Sequence, residues 1–182
     1  LILPEERWMA EGIEMADSIV FNPHKWLLTN FDCSAHYVKQ PELLIRTLSI
    51  LPEYLKSREQ DHVIDYRDWS VPLGRRFRAL KLWFVIRSYG VKGLQKIIRN
   101  HIKLAQHAAT WMDEDPEFEL VSPRSLSLLN FRFRPKNITK SADIDLLNED
   151  LLNRLNDSGR VYFTQNRVRG KFTIRWSIGQ TN

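Results

Sequence analysis

The sequence predicts an α/β protein, and three observations carry that prediction. Short β-rich runs near the start are cut off by breaker residues, two long apolar-faced helices occupy the middle, and strands resume around a helix after Pro116. In chain order, Pro4 to Ala16 reads as a short helix. Ser18 to Phe21 is a strand that Asn22-Pro23 halts, because proline has no amide hydrogen to continue a ladder. Cys33 to Val38 is a second strand-like run. Lys25 therefore falls on a turn between two strands, where scaffolds of this class carry ligand-binding residues.

Glu42 to Thr47 reads as another short helix. Ser49 to Val71 loses periodicity and fills with charged and polar residues, which predicts a long surface loop of the kind that is usually functional or disordered. After Gly74, Phe77, Leu80 and Phe84 recur at helical spacing, and Tyr89-Gly90 ends that helix with a residue suited to a C-terminal position. Leu94, Ile97, Ile98, Ala105, Ala108 and Met112 trace the apolar face of a second helix. Beyond Pro116, strands over Phe118 to Val121, Leu126 to Phe133, Val161 to Thr164 and Phe172 to Ser177 surround a helix over Ile144 to Leu155. Asp157-Ser158-Gly159 stops that helix.

Composition bounds the partners. The 182 residues suffice for one domain or for a piece of a larger protein. Hydrophobic residues at 43% and charged residues at 27% describe a folded globular chain. The net charge of +5 raises the question of an anionic partner. Arg75, Arg76, Arg78 and Lys81 sit at the head of an apolar helix, and Arg132 and Arg134 alternate with apolar residues on a strand, so no basic stripe or tail predicts nucleic-acid binding. Cys33 is the single cysteine, which excludes an internal disulfide, gives no zinc cluster and favours a reducing cytoplasm. No apolar run is long enough to predict a membrane span.

Lys25 is the first candidate for chemistry. It follows a strand, lies beside His24 and is flanked by Trp26, Leu27 and Leu28. Partial desolvation disfavours an ammonium and frees an amine for imine formation. A surface lysine beside a tucked-in tryptophan is the plainer alternative, and the local motif leaves both open.

The longer context resembles a known family. Phe21-Asn22-Pro23-His24-Lys25-Trp26-Leu27-Leu28 followed by Asn30-Phe31-Asp32-Cys33-Ser34-Ala35 is similar to the cofactor-lysine segment of group II pyridoxal-phosphate decarboxylases, in the aromatic amino acid branch. Asp65-Tyr66-Arg67, Trp69, Pro72-Leu73-Gly74-Arg75-Arg76-Phe77-Arg78 and Tyr89-Gly90-Val91-Lys92-Gly93-Leu94-Gln95 extend the resemblance. It implies the later part of an aminotransferase-like, fold-type-I enzyme that uses pyridoxal 5'-phosphate. Residues 1–72 would end the large cofactor domain, with a mobile catalytic loop over about 49–71; residues 73–115 would be connecting helices, and 116–182 a small C-terminal α/β domain.

The same resemblance implies roles. Lys25 would be the Schiff-base lysine, with His24 and Asn22 near the cofactor phosphate; a turn-stabilising hydrogen bond is the alternative for His24. Tyr54 would deliver the proton to the α-carbon after CO2 loss, as a phenol on a closing loop can; an ordinary exposed loop tyrosine is the alternative. Phe31, Leu73, Gly74 and Arg75 would shape the aromatic pocket or its entrance, with Leu73 and Gly74 reaching the neighbouring subunit's site in a homodimer. Arg67 would lie near the entrance, solvated helix-end arginines being the commoner case. Cys33 reads as small core filler.

The expected activity is decarboxylation of tyrosine, tryptophan or dihydroxyphenylalanine to the amine and CO2. A non-catalytic dimerisation piece and an aromatic aldehyde synthase are the alternatives. Family members are longer, and the resemblance places their ring-nitrogen aspartate and ring-stacking histidine before Leu1, so the chain is expected to be truncated at both ends and inactive by itself.

Overall fold

Pro4 and Gly12 shape the beginning of the chain, in a computed structural model that describes residues 2–50 and 63–179. Proline at its first position suits the 3-10 helix Pro4–Ala10. Gly12 then takes φ +83°, a left-handed conformation that side chains resist, and a second 3-10 turn follows at Ile13–Met15. The helix expected over Pro4 to Ala16 is therefore two short turns broken at the glycine. Two compact units divide the chain, Leu1–Leu94 and Gln95–Asn182.

In the first unit, β1 (Ser18–Phe21) pairs antiparallel with β2 (Ala35–Val38), in a register running from Ser18 opposite Val38 to Phe21 opposite Ala35. The rings of Phe21 and Tyr37 stack across this ribbon at 6.1 Å. Between the strands, Pro23 opens the single helical turn α1 (Pro23–Trp26), so the turn expected to carry Lys25 is a helical one. The short helix α2 (Pro41–Leu48) follows and packs against the 3-10 turn Tyr66–Trp69.

The long helix α3 (Arg78–Glu114) contains one non-helical residue, Gly90, at φ +63° and ψ +169°. The two helices expected from the sequence meet at that glycine, the residue that tolerates such a break. Phe77, which precedes α3, and Leu80 and Phe84 within it are exposed. On the other side of the break, Leu94, Ile98, Ala105 and Ala108 are buried, as their spacing predicts.

The second unit builds an antiparallel sheet in the order β3-β4-β6-β5, from β3 (Phe118–Leu120), β4 (Leu128–Phe133), β5 (Thr164–Val168) and β6 (Lys171–Ser177). Helix α4 (Ser141–Asp157) packs on β4 and β6. Phe131, Leu152, Phe172 and Ile174 form the buried core, with Met112, Phe163 and Trp176 packed around it. Ala108, Ala109 and Leu129 form a neighbouring cluster.

Two asparagines on α4 make the same connection. Asn148 Oδ1 accepts the Phe133 amide at 2.7 Å and its Nδ2 donates to the Phe133 carbonyl at 2.7 Å and to the Ile144 carbonyl at 2.8 Å. Asn156 treats Phe163 likewise, at 2.8 and 3.0 Å. This second clamp explains one correction. The strand expected over Val161 to Thr164 begins only at Thr164, because the Phe163 backbone is already engaged by Asn156. Its register is set instead by the turn at Arg169 (φ +52°) and Gly170 (φ +78°), whose paired positive φ values match a tight antiparallel hairpin.

Arg132 is fully buried in this unit and pairs with Asp145 at 3.2 Å; Asp145 also takes Arg167 at 3.1 Å and the Phe172 amide at 3.1 Å. Replacing Asn148 by Ala is expected to leave the Phe133 amide and carbonyl without partners and to cost about 2 to 3 kcal/mol. Chemical denaturation of the chain, followed by circular dichroism, measures that loss.

Candidate active site

Lys25 sits where β1 gives way to α1, one residue beyond His24. Its side chain is exposed, and its amine makes no hydrogen bond or ion pair among the described residues. The His24 ring is held: Nδ1 receives the Cys33 amide at 3.0 Å and lies 2.6 Å from the Cys33 carbonyl oxygen. The His24 backbone amide also donates to that carbonyl, at 3.2 Å. The turn-stabilising role weighed for His24 is thus present, and it fixes the ring through one nitrogen while Nε2 makes no hydrogen bond among the described residues. Asn22 precedes α1, its side chain makes no capping bond, and its carbonyl accepts the Lys25 amide at 3.0 Å.

Phe31 meets His24 edge to face, with ring centroids 5.0 Å apart, and is otherwise exposed. Three of the expected site residues, His24, Lys25 and Phe31, are therefore neighbours. Leu73, Gly74 and Arg75 are exposed, and no hydrogen bond or ion pair joins them to Lys25. A Cβ placed on Gly74 would meet nothing within 4 Å, so open space surrounds that position. Tyr54 and most of the loop expected over about 49–71 lie outside the described residues. Arg67 differs from the solvated arginine weighed from sequence: its side chain is mostly buried and pairs with Asp65 at 3.0 Å and Asp68 at 3.7 Å. Cys33 is buried, as a core filler should be.

Sequence reasoning missed the role of Asp32. Its carboxylate takes Arg78 at 2.9 Å and Arg76 at 3.1 Å, with the Lys81 ammonium at 4.0 Å. Lys81 also donates to the carbonyls of Phe31 and Asp32, each at 3.2 Å. The cationic cluster of Arg76, Arg78 and Lys81 was visible in the sequence; its partner lies 46 residues before Arg78, beyond the reach of any local pattern.

An aldehyde-bearing cofactor needs an amine that no carboxylate has claimed, next to groups able to meet an anion and a flat ring. Lys25, the free edge of His24 and the exposed face of Phe31 fit those needs. Two cavities of about 540 and 550 Å³ are lined by residues of the 95–182 unit and include none of these side chains. Among the described residues no group of three or more acidic, histidine or cysteine side chains could hold a metal ion.

Residues 1–134 match the model of the pyridoxal-dependent decarboxylase conserved domain. The chain belongs to the pyridoxal-dependent decarboxylase family. It is 46% identical over 182 residues to tryptophan decarboxylase TDC2 of Camptotheca acuminata, a match covering 99% of this chain and 36% of the relative. It is 45% identical over 179 residues to the aromatic-L-amino-acid decarboxylase of Rattus norvegicus, covering 97% and 36%. The chain thus spans about a third of the length of these curated relatives. The fold superposes on the crystal structure of Oryza sativa TDC with PLP and tryptamine at a TM-score of 0.92 and 40% identity, covering 97% of this chain and 37% of that one. It also resembles the Rhodiola rosea 4-hydroxyphenylacetaldehyde synthase, at a TM-score of 0.83 and 35% identity, covering 97% and 35%. The α/β fold expected from the sequence, as the later part of an enzyme of this family, agrees with these matches.

The Arg78 hydrogen bond holds the Asp32 carboxyl below its ordinary range; burial opposes this in part, and a backbone hydrogen bond and the charges of Arg76 and Arg78 assist it. A carboxyl lowered on folding contributes stability above its ordinary pKa, and that contribution fades as pH falls through the lowered value. Asp32→Asn is therefore expected to be less stable than wild type at neutral pH and to converge with it in acid. Thermal midpoints recorded from neutral to acid pH measure the convergence.

Proposed function

We propose that the enzyme containing this chain uses pyridoxal 5'-phosphate to decarboxylate aromatic L-amino acids of the tyrosine, tryptophan or dihydroxyphenylalanine type, releasing the amine and CO2. The observation that carries this reading is the unclaimed amine of Lys25 on α1, beside a fixed His24 and an exposed Phe31, in a chain that matches the family throughout these residues. When bound, the cofactor supplies an electron sink that accepts the α-carbon's bonding electrons as CO2 departs.

The chain's own residues do the rest. Lys25 would hold the cofactor through its unclaimed amine. His24, oriented through its Nδ1, would offer its other nitrogen to the cofactor phosphate, and Asn22 would add a polar group at the same end. Phe31 offers an aromatic wall to the substrate ring. Gly74 leaves space for a large ring, with Leu73 beside it and Arg75 at the entrance. Tyr54 returns a proton to the α-carbon while the closed loop keeps water away.

The reading includes a homodimer in which Leu73 and Gly74 serve the partner's site. The exposed aromatic side chains Phe77, Trp83 and Phe84 support it by offering apolar surface that another subunit could cover. A cytoplasmic enzyme, without nucleic-acid or membrane partners, completes the proposal; among the described residues no helix is long and apolar enough to cross a membrane. The similarity to an aldehyde synthase favours a second reading, in which the product is the aldehyde. Tyr54 argues for the amine, because its phenol supplies the proton that decarboxylation requires.

In the full-length enzyme, Lys25→Ala is expected to abolish the visible absorbance of the bound cofactor and the release of CO2 from tryptophan, tyrosine and dihydroxyphenylalanine. Retention of that absorbance would overturn the assignment of Lys25. Tyr54→Phe is expected to lower amine formation by about 10² to 10⁴ while cofactor absorbance persists. Chromatography of the products separates amine from aldehyde and so decides between the two readings.

A further inference from the structure

Phe31 is more than four-fifths exposed, yet its carbonyl is held by Lys81. An exposed aromatic side chain ordinarily samples several rotamers at little cost. Here the two peptide groups that follow its Cα are tied. Lys81 holds the carbonyls of Phe31 and Asp32, Arg76 and Arg78 hold the Asp32 carboxylate, and the buried Cys33 thiol lies 3.7 Å from the Arg78 carbonyl. Cys33 in turn joins the His24 ring through its amide. One short stretch of chain thus connects the residue next to Lys25 with the head of α3.

Stability alone does not account for this arrangement. Three cations on a single carboxylate repel one another, and water reaches the cluster, so each added pair contributes little. What the cluster does accomplish is geometric. A carboxylate and two carbonyl oxygens from consecutive residues, all directed at one helix turn, fix the position and direction of the backbone that carries the Phe31 ring.

We infer that Asp32 is a positioning residue: by binding Arg76, Arg78 and Lys81 it sets the Phe31 ring edge-on to His24, and so sets how closely an aromatic substrate ring fits beside Lys25. The second half of this statement rests on the aromatic amino acid reading proposed above. The first half is independent of it. Asp32 touches neither substrate nor cofactor and acts through Phe31.

Two measurements on the full-length, cofactor-loaded enzyme test it. With 4-fluorophenylalanine at position 31, the fluorine resonance reports the ring's place beside His24. In Asp32→Asn and Lys81→Met it is expected to move toward the position of the free amino acid, and Asp32→Glu is expected to restore much of the wild-type shift. In steady-state assays with tryptophan, both variants are expected to raise KM about tenfold while kcat changes less than about threefold and cofactor absorbance is kept. Lys81→Met removes the two carbonyl ties and the long ion pair from a partly exposed position while leaving Arg76 and Arg78 on Asp32, so it decides the matter should Asp32→Asn fail to fold. An unchanged fluorine resonance in the folded variants overturns the inference, as does a fall in kcat with KM unmoved. Should the wild-type enzyme release no CO2 from any aromatic amino acid, the substrate reading falls together with the second half of the inference, and the resonance still judges the clamp.

Discussion

The bond between the His24 ring and the Cys33 backbone is the constraint on which the rest of the first unit depends. β1 and β2 are paired, so the residues between Phe21 and Ala35 must leave the ribbon and return to it. His24 closes this excursion near its base, and Lys25 lies exposed on the single helical turn inside it. A lysine on an unrestrained loop would spend conformational entropy on every encounter with a cofactor. Here the backbone around Lys25 is ordered by a histidine and a peptide group rather than by any contact with the lysine itself.

What the sequence revealed, and what it hid, follows the range of the interactions. The strands around Lys25 were legible because Asn22-Pro23 punctuates them locally, and the buried face of α3 was legible because Leu94, Ile98, Ala105 and Ala108 repeat at helical spacing. The break at Gly90 needed only one residue to announce it. Asp32 was quoted as part of a motif without a role, since its partners follow it by more than forty positions and only the folded chain brings them together. β5 was misplaced because its side chains are mostly exposed and polar, so hydrophobic patterning pointed to the apolar residues just before it. The family resemblance named candidate site residues; it did not say which of them the chain would bring into contact.

The second unit handles polarity differently from the first. Its core admits a whole guanidinium, that of Arg132, and an asparagine that is fully buried. Placing a charge there is costly unless it is paired and bonded, and Asp145 meets the condition by serving two arginines and a backbone amide together. Such a cluster rewards one arrangement of α4 on the sheet and penalises alternatives that would strand a charge. Apolar contacts among Phe131, Leu152 and Ile174 supply the general attraction, and the polar contacts select the register.

The pair of asparagines on α4 carries a genetic consequence. Each uses both ends of its amide at once, giving a hydrogen to the carbonyl of a phenylalanine and taking one from that residue's own amide. Aspartate has almost the same shape and is a single base change away from asparagine in the standard code, yet it would face Phe133 or Phe163 with an oxygen where a donor is required. Glutamine keeps the amide but stands one methylene too far out. At these two positions a single-base substitution of nearly unchanged shape sets an acceptor against an acceptor, so it is disfavoured despite the close fit.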